Sequence, residues 1–191
     1  MELTERFTAA FTGAAGHVHN APDWDAAMMA IASVIAAKEA ALIATAQLPE
    51  PLQERIRAHC AQHNITLLEE PHTGDRLPER IDGAAIGITG IAFGVALSGT
   101  LVEISTNDAT RLVSSLPRTH IGVVHARELV SDLREAAARL RTAFEDRPEG
   151  VVASLISGPS RTGDIELILT LGVHGPEDAH AVILTGEHHA G

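Results

Sequence analysis

Between two glycine–proline turns, Gly158-Pro159 and Gly175-Pro176, the chain carries hydroxyls at Ser160 and Thr162, the guanidinium of Arg161, carboxylates at Asp164 and Glu166, and His174. Ser157 adds a hydroxyl just before the first turn. Glycine admits positive φ and proline fixes φ and ends a ladder, so each pair forces a turn. So many polar groups between apolar runs suit a ligand site in a strand-end loop. Arg161 can fork a carboxylate or phosphate, and Asp164 can orient Arg161 or a neighbouring amide. His174, held in a turn, can exchange a proton near neutral pH or simply hydrogen-bond the loop. The alternative is two polar turns between strands, with a capping hydroxyl and a surface arginine.

The elements that position this loop follow from periodicity. Residues Leu3 to Ala15 predict a short helix ending at Gly16, with His17 and His19 in a loop. A second helix is expected from Pro22-Asp23, good starting residues, to about Lys38. These helices either pack on the main domain or exchange with a second copy, so a homo-oligomer stays open. Strands are expected at Ala41–Thr45, Ile65–Glu70, Gly83–Thr89 and Phe93–Leu97, with a helix over Leu52–His63 and a polar loop around Gly74 and Pro78. Ser98-Gly99 reads as a hairpin turn into Thr100–Thr106. His120–His125 is a buried strand. Leu129, Leu133, Ala136, Leu140 and Phe144 recur at helical spacing. Val151–Ile156 leads into the polar loop, and two strands close the chain. Alternating strands and helices predict one α/β domain with a mixed, mostly parallel sheet flanked by helices. If Val151–Ile156 is a central parallel strand, the loop lies at its carboxyl end, where open α/β sheets place ligands. Ser160 to Gly163 are then expected to begin a helix or turn whose free N–H groups face the ligand. The divisions expected are an N-terminal helical segment over 1–45, an α/β domain over 46–186 and a tail over 187–191.

Composition narrows the chemistry. The 191 residues carry 14 Lys and Arg against 25 Asp and Glu, a net charge of −11. That argues against a nucleic-acid partner, which needs clustered cations. It still allows a small anionic ligand held by one arginine and backbone amides. A single cysteine, Cys60, supplies neither an internal disulfide nor a four-thiolate cluster. No signal peptide or membrane span is legible, so the expected place is the cytoplasm. His59 and His63 share a helical face as metal ligands can, but Cys60 stands where the HExxH pattern needs Glu, and core-edge packing is the better reading; no metal site is expected. The chain has no GxGxxG after a first strand, no GxxxxGK[ST] and no GxSxG elbow, which disfavours a self-contained NAD enzyme.

Three stretches in order, GITGIAFGVALSGTLVEIS (Gly87–Ser105), SLPRTHIGVV (Ser115–Val124) and ISGPSRTGDIELILTLGVHGP (Ile156–Pro176), resemble the LUD domain of the lactate-utilization protein C family. The resemblance implies the α/β fold of sugar-phosphate isomerases, CoA transferases and the formyltetrahydrofolate cyclo-ligase type. It also implies an accessory part in oxidising L-lactate to pyruvate, beside partner subunits that carry iron–sulfur clusters, with no cofactor in this chain. A stand-alone enzyme on a phosphorylated or CoA-linked substrate is the alternative. The candidate ligand-binding set is Ser98, Gly99, Thr100, Ser157, Gly158, Pro159, Ser160, Arg161, Thr162 and Gly175, with His174 and Asp164 as candidate catalytic groups. Thr100 and Ser157 are expected to face one cleft. Family members often carry an acidic residue and Thr before the Gly-Thr pair, where this chain has Leu97 and Ser98, and Gly163 stands where Ala is common. Glu103 lies three residues after Thr100, on the opposite face of the strand.

Overall fold

The computed structural model describes residues 2–147, 150–163, 169–171 and 175–186, the stretches 161–163 and 169–171 by backbone alone. In chain order the elements are α1 (Leu3–Gly13), β1 (His17–Ala21), α2 (Trp24–Ala37), β2 (Leu42–Ala46), α3 (Glu50–His63), β3 (Thr66–Leu68), α4 (Leu77–Asp82), β4 (Ile86–Gly90), β5 (Phe93–Val95), β6 (Thr100–Ser105), α5 (Asp108–Ser115), β7 (Thr119–His125), β8 (Leu129–Val130), α6 (Leu133–Glu145), β9 (Val152–Ile156), β10 (Arg161–Gly163), β11 (Leu169–Leu171) and β12 (Asp178–Leu184). The helix starts obey local chemistry. Asp23 caps α2 by accepting from Ala26 N at 2.8 Å, Asn107 caps α5 and Asp132 caps α6.

Six strands form a parallel sheet in the order β1-β12-β7-β4-β2-β3. Alternation along these strands sends one set of side chains to each face. Ile43, Ile88, Ile121, Val123 and Val182 pack against Ile31, Ile35, Leu52 and Ile56 of α2 and α3. Across the sheet, Val124, Ala181 and Ile183 meet Phe7 and Phe11 of α1 and Leu101 of β6. The two phenylalanine rings stack with centroids 5.5 Å apart and are fully buried. Burial on both faces explains why the inner strands β2, β4, β7 and β12 read as continuous apolar runs.

A second sheet, β8-β5-β6-β9, lies over the α1 side. Its β5–β6 hairpin is antiparallel, as the Ser98-Gly99 turn predicted. The hairpin therefore belongs to a separate layer and not to one mixed sheet. Its outer face is covered by α6 through Ala136 and Leu140.

Several expectations shift. The loop at His17 and His19 is strand β1, paired in parallel with β12, so the N-terminal segment supplies sheet as well as helix. The polar loop at Gly74 and Pro78 contains α4. The helix expected from Leu129 starts at Leu133, because Leu129 and Val130 pair with Gly94 and Val95 of β5. Leu133 and Phe144 are exposed, so only the middle of that stripe is core. The largest change concerns β9. It is no central parallel strand but pairs antiparallel with β6 at the end of the second sheet.

Candidate functional site

A cleft of about 350 Å³ opens at the amino ends of β7 and β12. Ser154, Ser157, Gly158 and Ser160 form one wall, Gly175 and Pro176 a second, Arg111, Ser114 and Ser115 of α5 a third, and His120 lies at the base. The expectation of a carboxyl-end site failed because β9 runs antiparallel in the other sheet. The stretch expected to start a helix at Ser160 to Gly163 is instead β10, paired antiparallel with β11. Its amides thus serve a ladder and not a helix N-terminus. A smaller cleft of about 230 Å³, lined by Trp24, Gln47, Gly90, His125 and Leu184, does lie at the carboxyl ends. None of the expected site residues that the structure describes lines it.

The two glycine–proline turns meet as their composition demands. Gly158 has φ +118° and Gly175 φ +114°, conformations that favour glycine. Ser160 N donates to Pro176 O at 2.8 Å, joining the turns across the cleft wall. Ser98, Thr100 and Ser157 form a chain of hydroxyls, with Oγ···Oγ1 distances of 2.7 Å and 2.8 Å. The structure thus brings Thr100 to Ser157 across 57 positions, as a directly opposed cross-strand pair flanking Leu101 and Ile156. Thr100 itself is buried behind the wall. Gly99 and Pro159 are buried as well, and Gly99 sits against the backbone of Ala10 and Phe11. Of the expected ligand-binding set, Ser157, Gly158, Ser160 and Gly175 line the cleft. Asp164, His174 and the side chains of Arg161 and Thr162 lie outside the described residues.

Beneath the cleft is a cluster that the loop motif does not contain. Glu103 on β6 is fully buried and points at the parallel sheet, away from Thr100. Ser114 Oγ donates to its Oε1 at 3.1 Å. Burial lifts the Glu103 carboxyl to about 7, against the opposing pull of the Thr89, Ser114 and Ser154 hydroxyls and the Arg111 charge. Thr89 Oγ1 lies 2.9 Å from His120 Nε2. Burial pushes His120 down to about 4, helped by the nearby His180. His120 is 1% exposed, and its Nδ1 has no hydrogen-bond partner among the described residues. Arg111 pairs through Nη2 with Asp108 one turn earlier, while its buried Nε has no hydrogen-bond partner among the described residues. The cleft therefore offers a cation at the rim, hydroxyls along the walls and a neutral imidazole at the base. Such a set suits a small anion that also carries a hydroxyl or carbonyl.

Among the described residues, no group of three or more His, Cys, Asp or Glu is placed to hold a metal ion. The His59 and His63 rings lie 4.4 Å apart on α3, and Cys60 between them is buried in the core. No helix among the described residues is long and apolar enough to cross a membrane.

Two stacked sheets with a serine-lined, ligand-sized cleft define an α/β domain. The LUD domain profile matches residues 4–184, and the chain belongs to the LUD domain family. It is 38% identical over 116 residues to Lactate utilization protein C of Halalkalibacterium halodurans, covering 59% of this chain and 50% of that protein. It is 37% identical over 114 residues to the protein of that name from Geobacillus thermodenitrificans, covering 56% and 46%. The chain thus spans about half the length of the curated relatives it matches. A crystal structure of a DUF162 family protein from Deinococcus radiodurans superposes with a TM-score of 0.68 at 18% identity, over 95% of this chain and 96% of that one.

Proposed function

We propose that this chain is an accessory component of L-lactate utilization that binds a small 2-hydroxy or 2-oxo carboxylate in the cleft. The observation that carries the reading is the Arg111 cation beside a serine-lined cleft, in a chain similar to proteins named for lactate utilization. A guanidinium can donate two parallel hydrogen bonds to one carboxylate. A three-carbon carboxylate fits a cleft of about 350 Å³ with room for water. One buried cysteine cannot furnish an iron–sulfur cluster, so electrons released from lactate are assigned to iron–sulfur centres on partner subunits. The alternative, a stand-alone enzyme on a phosphorylated or CoA-linked substrate, loses its best support with the helix N-terminus that β10 replaces.

Calorimetric titration of the purified chain with L-lactate, pyruvate, inorganic phosphate and CoA tests the site. Lactate or pyruvate is expected to bind, and Arg111→Ala to weaken binding roughly tenfold or more, through loss of a charge-assisted contact. Arg111→Lys is expected to recover only part, because a point charge cannot fork a carboxylate. Binding of phosphate or CoA with no response to either acid overturns the assignment. For the cellular role, deletion of the gene is expected to stop growth on L-lactate, and unimpaired growth removes the lactate reading.

A further inference from the structure

His120, Thr89 and Glu103 come from three different strands, β7, β4 and β6, and meet in the layer between the two sheets. A buried histidine with one nitrogen engaged and the other bare is set up to do one thing at the bare atom. What Nδ1 does depends on Nε2, because a neutral imidazole carries one proton. Nε2 faces Thr89 Oγ1 at 2.9 Å, and the Thr89 hydroxyl stands beside the Glu103 carboxyl. Glu103 Oε2 is buried with no hydrogen-bond partner among the described residues, and the Thr89 hydroxyl is the neighbouring group that can supply one.

A neutral imidazole and one shared hydroxyl allow two closed arrangements of this chain. With Glu103 ionised, Thr89 donates to the carboxylate and accepts from Nε2–H, and Nδ1, buried at the base of the cleft, carries a lone pair. With Glu103 protonated, the acid donates to Thr89, Thr89 donates to bare Nε2, and the proton resides on Nδ1. The imidazole is neutral in both. The added proton is held by Glu103, and the reversal of the Thr89 hydroxyl changes Nδ1 from acceptor to donor. A 2-hydroxy acid offers a donor to Nδ1, and a 2-oxo acid only an acceptor.

We propose that the Glu103–Thr89–His120 relay sets how strongly the cleft prefers a 2-hydroxy acid over the matching 2-oxo acid, by fixing His120 Nδ1 as hydrogen-bond acceptor or donor. The proposal rests on the reading that the cleft holds a small carboxylate. The charged and titratable groups facing the relay among the described residues are Arg111 from α5, which favours ionised Glu103, and His180 from β12, which opposes a charged His120. The Glu103 carboxyl changes charge at about 7, so both arrangements are reached between pH 6 and 8. Basic conditions then favour the hydroxy acid, and acidic conditions admit both acids, because a hydroxyl can also accept from Nδ1–H.

The test combines binding with a readout that needs no ligand. In protein labelled with 15N-histidine, the His120 proton is expected on Nε2 at pH 8 and on Nδ1 at pH 6. Calorimetry over the same range is expected to show the ratio of pyruvate to L-lactate dissociation constants rising roughly tenfold with pH, the worth of one matched hydrogen bond. Thr89→Val, which removes the link, should abolish both changes. Thr89→Ser, which keeps the hydroxyl, should retain them and guards against a mere folding defect. Binding of both acids with a fixed tautomer and a constant ratio overturns the relay alone. A switching tautomer with no binding of either acid overturns the cleft reading, and the preference with it.

Discussion

His120→Gln is expected to lose about 3 kcal/mol of stability relative to the natural chain as pH rises from 4 to 6.5, and Glu103→Gln to gain about as much between 4.5 and 7. Folding holds His120 at about 4, below its ordinary 6.5, so in that interval the unfolded chain binds a proton that the native chain does not. Stability from this group is therefore present above 6.5 and is lost as pH falls through 4. Glu103 works in the other direction. Its native carboxyl keeps a proton up to about 7 that the unfolded chain releases near 4.5. Its contribution is present below 4.5 and is lost as pH rises through 7. The two slopes oppose each other over nearly the same interval, so the natural chain conceals both. Each substitution exposes the partner left behind. Urea unfolding at pH 4, 5, 6 and 7 measures the differences, in which the other histidines and carboxylates cancel. Variant and natural curves that stay parallel would mean that both groups reach water in the native state.

The concealed pair also explains what the sequence could and could not say. Periodicity located most of the helices and strands, because apolar spacing and capping residues such as Asp23 act locally. Which sheet a strand joins is a long-range matter. Val152–Ile156 reads equally well as a central or an end strand, and only its pairing with Leu101–Ser105 decides. That one ambiguity moved the expected cleft from the amino ends of β7 and β12 to the opposite side. The polar loop was legible because its residues are crowded together in sequence. Arg111, Ser114, Thr89 and His120 were not, because they are scattered over three elements that only the fold brings together. Thr89, Glu103 and His120 do fall within the Gly87–Ser105 and Ser115–Val124 stretches that resemble the LUD domain. Their family pattern was visible there, and their convergence was not. The signal that could have marked them is a histidine, a threonine and a glutamate placed inside strands otherwise built to be buried.

Gly99 and Gly158 explain how an N-terminal helix comes to govern a site made by other elements. Gly99 has φ +59°, and a Cβ there would lie 2.3 Å from Phe11 N. Gly158 has φ +118°, and its Cβ would lie 2.8 Å from Ala14 O. Both obstacles are backbone atoms at the end of α1, which cannot yield as a flexible side chain does. The same helix anchors Phe7 and Phe11 between the layers, so it resists being pushed outward. It thereby holds the Ser98-Gly99 turn and the Ser157-Gly158 turn in one register, and the Ser98–Thr100–Ser157 hydroxyl chain spans the gap between them. Gly99→Ala is expected to cost about 3 kcal/mol, combining left-handed backbone strain with displacement of α1, and Gly158→Ala a similar amount. If α1 is the shared brace, the first substitution already moves it and the second meets less resistance. The double variant should then fall short of the summed losses by about 1 kcal/mol or more. Urea midpoints of the four proteins in the cycle give that coupling directly. Strict additivity would show two turns that yield independently, and would release α1 from any part in setting the cleft wall.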